Sequence, residues 1–401
     1  MSIVSARMRQ VKLSPSVAAR IILNQLREEG RRIIDLTIGE PDFITPPHIR
    51  KAACEAIERG ETKYPLSQGT MALRRAAAER IRLDTGIDYP LDRIIVSTGA
   101  KQVLYNALTA TLEAGDEVII PAPYWVSYPD MVELAGGQPV TLRTEAASRY
   151  KITPDALRAA ITPRTKWLML NAPGNPSGVV YDAAELSALA GVLRDHPHVW
   201  TMTDDIYARL TFEGGPAPHI LQAAPDLADR VLAVNGVSKC YAMTGWRIGY
   251  GAGPKDLIKA MAVVQSQSTS GACSISQAAA LAALTGPQDC VAEFARSFRE
   301  RRDLAMSILT RAPGLNAVSP DGAFYIFPDC SALLGRTAPD GTVIATDADL
   351  VQYILRRTGV ALLDGGSYGV PGTFRLSFAS ASEEVREGCE AIRAICEELA
   401  A

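Results

Sequence analysis

From residue 93 to residue 253, short apolar runs of strand length alternate with helical spacings. The runs are Arg93–Thr98, Glu117–Pro121, Lys166–Asn171, Val199–Thr203, Val231–Asn235 and Arg247–Gly251. Their apolar residues are nearly continuous rather than alternating, the pattern of strands covered on both faces. Between them lie helix signals: Lys101 to Leu112, then Asp182 with Glu185 three residues on, a spacing that satisfies free N–H groups at a helix start. Such alternation predicts an α/β fold with a mostly parallel sheet under helices. The flanks differ. Ser16 to Gly30 predicts an amphipathic helix stopped by glycine, and a long helix is expected after Gly286-Pro287, to about Leu309. A strand-rich patch follows at Gly322–Phe327, Val360–Leu363 and Thr373–Phe378. The chain then enters a helix after Ser382 with Val385, Cys389, Ile392 and Cys396 on one stripe.

With 401 residues the chain is long enough to split its core. The expected division is a segment 1–45 packing with a small α+β domain of 296–401, and a large domain of 46–295. The balance of 41 Lys+Arg against 44 Asp+Glu argues against a nucleic-acid or anionic-membrane surface. No apolar run is long enough to cross a bilayer. Seven scattered cysteines without a CxxC pair, and a start without a signal-peptide core, lead to the expectation of a reducing cytoplasm. None of His48, His196, His198 and His219 has metal spacing, so no metal site is expected.

Two motif matches fail on their own terms. In Gly249-Tyr-Gly251-Ala-Gly253-Pro254 the third glycine of a dinucleotide fingerprint is a proline, and no acidic residue follows near the required distance. Gly365-Gly-Ser367-Tyr-Gly369 has the form of a hydrolase nucleophile turn, but no histidine follows it.

In an open α/β sheet ligands sit beyond the carboxyl ends of the strands. After the successive runs come Gly99-Ala100-Lys101, Tyr124-Trp125, Asn171 through Asn175, Asp204 through Tyr207, and Ser238-Lys239. Taken alone, each has an ordinary explanation as a loop lysine, a cap, a turn residue or packing. Together they are what a phosphorylated aromatic cation beside an amine requires, and pyridoxal 5′-phosphate (PLP) is such a group. A helix start at Gly99–Lys101 suits its phosphate, and Trp125 suits its ring. A carboxylate, Asp204, suits the protonated ring nitrogen. Lys239 suits the aldehyde and then acts as general base, and Tyr207 and Asn175 suit the ring oxygen.

At Ser238-Lys239-Cys-Tyr-Ala-Met-Thr-Gly-Trp-Arg247-Ile-Gly-Tyr the chain resembles the lysine signature of class I/II PLP-dependent aminotransferases of fold type I. Gly39-Glu-Pro-Asp-Phe, Lys63-Tyr64, Pro123-Tyr-Trp125, Asn171-Ala-Pro-Gly-Asn175-Pro-Ser-Gly, Asp204-Asp-Ile-Tyr207 and Phe374-Arg375-Leu-Ser agree with it. The likeness runs from about residue 12 to 395 and is nearest the bacterial aspartate aminotransferases that also accept prephenate. It implies a homodimeric enzyme. Lys239 would be joined to PLP, Asp204 paired with the ring nitrogen, and Tyr207 and Asn175 placed at the ring oxygen. Ser238, Arg247 and the Gly99–Lys101 turn would hold the phosphate, with Tyr64 reaching it from the neighbouring subunit. Arg375 would clamp the substrate α-carboxylate with Asn175 and the backbone of Gly39, and Lys12 stands where the prephenate-accepting members carry a basic residue. The expected reaction takes the amino group of an L-amino acid, aspartate first, to a 2-oxo acid, 2-oxoglutarate first. Aromatic or prephenate transamination is the main alternative, with β-elimination and a non-catalytic PLP-binding regulator behind it.

Cys240 stands where alanine or threonine is usual, Tyr64-Pro65-Leu66 departs from the common order, and Thr37-Ile38-Gly39 departs from a run of small residues. The first is expected to change packing alone, the second the loop near the phosphate, and the third the substrate range rather than cofactor use.

Overall fold

The computed structural model describes residues 3–9, 11 and 13–401. Seven strands form one sheet: β1 (Ile94–Ser97), β2 (Glu117–Pro121), β3 (Gln138–Leu142), β4 (Thr165–Leu170), β5 (Trp200–Asp204), β6 (Val231–Gly236) and β7 (Gly249–Ala252). Their order across the sheet is β1-β7-β6-β5-β4-β2-β3. Neighbours among β2 to β6 run parallel, and β7 lies antiparallel between β6 and β1. Period-two alternation divides the core. Ile94 and Val96 enter the apolar cluster on one face, and Ile95 joins Val103, Leu104 and Leu108 on the other. Each such fully buried side chain contributes roughly 1.5–3 kcal/mol.

The expected strands and helices sit within a residue or two of where the spacing puts them, except that Gly322–Phe327 shortens to Tyr325–Ile326 and Val360–Leu363 divides between two sheets as Val360–Ala361 and Leu363–Asp364. The start at Asp182 carries both halves of its reciprocal cap, Asp182 accepting from Glu185 N and Glu185 accepting from Asp182 N. The final helix, Ser382–Ala400, buries Val385, Cys389, Ile392 and Cys396. Burial pushes the thiols of Cys389 and Cys396 up to about 12, so both are packing residues.

Two differences have clear causes. Strand β3 has no apolar run: it is an edge strand with half-exposed residues and a proline at position two, and edge positions tolerate both. The strand expected from Arg247 starts at Gly249, because Arg247 has φ +58, outside the extended region.

The C-terminal part carries an antiparallel three-stranded sheet in which Phe374–Ser377 lies between Leu363–Asp364 and Tyr325–Ile326. Ile34–Asp35 pairs in parallel with Val360–Ala361, tying an early segment to a late one. The long helix Asp289–Leu309 passes uninterrupted through residues 295 and 296. Among the described residues no helix is long and apolar enough to cross a membrane, and no group of three or more His, Cys, Asp or Glu is arranged to hold a metal ion.

Candidate active site

The carboxyl ends of β1, β4, β5 and β6 open on one cavity of about 350 Å³, the position the sheet topology favours for a ligand. Strand β5 delivers Asp204 at its last residue, 6% exposed. One carboxylate oxygen, Oδ2, accepts from Tyr128 Oη at 2.7 Å, while Oδ1 has only a long 3.4 Å contact from Ile206 N. Asn171 Nδ2 donates to the Asp204 carbonyl at 2.7 Å, fixing the strand end. Burial pushes the Asp204 carboxyl up to about 6, the Tyr128 hydrogen bond opposing and the Asp205 carboxylate adding to the rise.

Three residues past β6 stands Lys239. Its amine donates to the carbonyl of Gly39 and lies 5.7 Å from the ring centres of both Tyr207 and Phe324. Burial pushes this amine down to about 8; Glu40 counters, whereas Arg375 and Arg247 push the same way. The Tyr207 phenol shares a 2.9 Å hydrogen bond with the Tyr325 phenol. Burial foremost holds Tyr207 well above its ordinary pKa, so it stays a protonated donor.

Arg375 enters from the small sheet and is 2% exposed. Its guanidinium donates to Asn175 Oδ1 at 3.0 Å and to the Thr37 carbonyl, and lies 4.6 Å from the Tyr325 ring centre. At the start of the helix Ala100–Thr111, Gly99 has φ +86, and a Cβ there would stand 2.5 Å from Arg247 Nη2. The helix start and the Arg247 guanidinium therefore form one surface that only glycine permits. Lys101 Nζ lies 4.5 Å from the Trp125 ring centre and donates to Ser127 Oγ at 3.1 Å. Buried carboxylate, buried amine and clustered guanidinium groups thus face one space.

A family model described as "Aminotransferase class I and II" matches residues 31–392. The chain is a class I/II aminotransferase. It is 49% identical to an aspartate/prephenate aminotransferase of Cereibacter sphaeroides, over 99% of each chain. It is 50% identical to an aspartate aminotransferase of Rhizobium meliloti, over 93% of this chain and 91% of that one. Among solved structures, the crystal structure of the Rhizobium meliloti aspartate aminotransferase superposes with a TM-score of 0.96 at 47% identity over the whole of both chains. The Thermus thermophilus aspartate aminotransferase with maleate gives 0.90 at 40% identity, over 98% of this chain and all of that one. The fold is thus that of the fold-type I aminotransferases.

In this aminotransferase the cavity wall includes Gly39, Ala100, Lys101, Trp125, Asn175, Asp204, Tyr207, Ser238, Lys239, Arg247 and Arg375. Gly99 adjoins it through Arg247. Tyr64 lies apart and is 95% exposed, and Lys12 falls outside the described residues. The backbone oxygen on Arg375 is that of Thr37, while that of Gly39 receives Lys239. Asn175 is bonded to Arg375, and the partner of Tyr207 is Tyr325.

Tyr128, Tyr325, Glu40 and Arg20 also face the cavity and were not singled out from the sequence. Tyr128 had a usable signal, one helical turn beyond Trp125. Tyr325 had none, since it reads as one apolar residue in a strand. Glu40 joins two separate parts of the chain, accepting from Thr244 Oγ1 at 2.6 Å and lying 3.9 Å from Arg20.

Proposed function

We propose that the cavity takes PLP and that the enzyme moves the amino group of L-aspartate to 2-oxoglutarate in two half-reactions. The convergence of Lys239, Asp204 and Arg375 on one cavity carries this reading. The residues fit the cofactor. Asp204 is a buried carboxylate whose Oδ1 has no short partner, suited to a protonated ring nitrogen. The Gly99–Ala100 helix start with Ser238 and Arg247 suits a dianion. Trp125 offers an aromatic face, and Lys239 a buried amine.

Bound there, the cofactor supplies an electron sink for bonds at the substrate α-carbon. Asp204 would hold the ring nitrogen in its protonated form, with Tyr128 keeping Asp204 oriented. Tyr207 would hold the ring oxygen. Lys239 would hold the aldehyde, and its amine, depressed toward neutrality, suits moving a proton on and off the substrate α-carbon. Arg375 binds the α-carboxylate through a planar fork, a charge-assisted contact of roughly 1.5–3 kcal/mol. The names of the relatives support aspartate, and that of the Cereibacter protein supports prephenate as a second acceptor.

We further read the enzyme as a cytoplasmic homodimer whose phosphate site is completed by the partner subunit's Tyr64. The exposure of Tyr64, Leu66 and Val263 supports such an interface. Lys239→Ala is the test. Purified variant is expected to lack the visible absorption band of the lysine-bound cofactor and to lose transamination at least a thousandfold. A variant that transaminates at the wild-type rate overturns the assignment.

A further inference from the structure

Asp204 has an acidic neighbour that none of these roles uses. Asp205 N donates to Val234 O at 2.8 Å, so the β5–β6 ladder continues one residue past β5. Alternation then puts the side chains of Thr203 and Asp205 on the face opposite Asp204. Thr203 Oγ1 donates to Asp205 Oδ2 at 2.7 Å. His219 Nε2 stands 3.0 Å from Thr203 Oγ1 and 3.3 Å from Asp205 Oδ2, with its side chain 5% exposed. Leu221 N donates to His219 Nδ1 at 3.1 Å, and a backbone N–H can only donate. Nδ1 is therefore an acceptor, the ring proton sits on Nε2, and His219 is a neutral donor aimed at Asp205 and Thr203.

The surroundings maintain that arrangement. From the helix Met71–Thr85, Asp84 faces the pair, with Arg80 of the same helix and Arg209, 3.9 Å away, beside Asp84. Cys240, Tyr241 and Tyr250 also border Asp84; burial pushes their thiol and phenols up, so they stay uncharged. Asp204 and Lys239 stand on the cavity side.

We propose that Asp205 and His219 are positioning residues for transamination, with neutral His219 holding an anionic Asp205 behind Asp204 so that its fixed charge raises the proton affinity of the cavity. The inference rests on the cofactor reading above. A unit charge one residue away, at an effective dielectric near 20, changes a proton affinity on the order of tenfold.

The test uses the PLP-loaded enzyme and the pH midpoint of its visible absorption bands. In Asp205→Asn the midpoint is expected about one pH unit lower, and kcat about tenfold lower, with KM for aspartate within about twofold. Asp205→Glu restores the charge and is expected to return the midpoint to the wild-type value. Where Asp205→Asn does not fold, Asp205→Ser, neutral and still able to bond His219, reports the same shift. An unmoved midpoint in a folded charge-free variant, or an equal shift in Asp205→Glu, overturns the positioning role and leaves the cofactor reading standing. Absence of any band in the wild type overturns the cofactor reading and this inference with it.

Discussion

Lys239 illustrates how a single residue sacrifices stability for chemistry. Its amine falls from 10.5 to about 8 through burial. Below about pH 8 the amine is charged in both folded and unfolded chains, and the folded one bears the cost of desolvating it. Between about 8 and 10.5 the unfolded chain binds more protons than the folded one, so stability rises with pH across that window. Above it neither state is charged and the cost vanishes. Lys239→Met is therefore expected to stabilise the cofactor-free protein at pH 7, by on the order of 3 kcal/mol at most. The gain should shrink toward zero as pH rises through the window. Chemical denaturation of both proteins at pH 7 and pH 10.5 checks this, and a pH-independent gain would refute the charge explanation. Lys239 and Asp204 could be picked out from the sequence because lysine and aspartate after apolar strand runs are chemically conspicuous, whereas the role of Arg375, inside a strand of the small sheet, came from the family resemblance. Tyr128 was not: its spacing from Trp125 hinted at the same face, but its role shows only with its hydroxyl 2.7 Å from Asp204 Oδ2.

At the scale of the element, the surface for an anion is made by a strand end, a helix start and a neighbouring arginine at once. Gly99→Ala places a methyl group 2.5 Å from Arg247 Nη2 at a φ of +86. Backbone strain of about 1–2 kcal/mol adds to the clash. The variant is expected to fold, since the strain lies at a cavity edge, and to bind PLP at least tenfold more weakly. Equilibrium dialysis against PLP measures it; wild-type affinity would show that this helix start does not face the phosphate. Elements themselves were legible wherever apolar residues ran continuously, as in β2, β5 and β6. The edge strand β3 was not, because an edge needs no apolar run.

On the scale of the whole molecule, the site draws on distant stretches of chain. Arg375 meets Thr37 across 338 positions and Lys239 meets Gly39 across 200, contacts that local periodicity does not encode. We keep the division near residues 45 and 295 as a proposal, with the helix Asp289–Leu309 as the connection. The dimer reading has a direct test. Lys239→Ala subunits and Tyr64→Ala subunits, each impaired alone, are expected to regain up to about half the wild-type activity per dimer pair after unfolding and refolding together. One mixed site then carries an intact Lys239 and an intact Tyr64. No recovery from well-folded mixed dimers would place Tyr64 outside the shared site.

The carbonyls of Thr37 and Gly39 already occupy the arginine and the lysine on which an incoming molecule must act. A guest at Arg375 finds the Nε–H without a partner and gains Nη2 by outcompeting a neutral main-chain oxygen. A carboxylate does so, because its charge-assisted bonds are about twice as strong as neutral ones; an amide or ester offers just another carbonyl and wins nothing by the exchange. Rejection of uncharged analogues is thereby set before any of them arrives, and inhibition by an α-acid against its α-amide is the comparison that shows it.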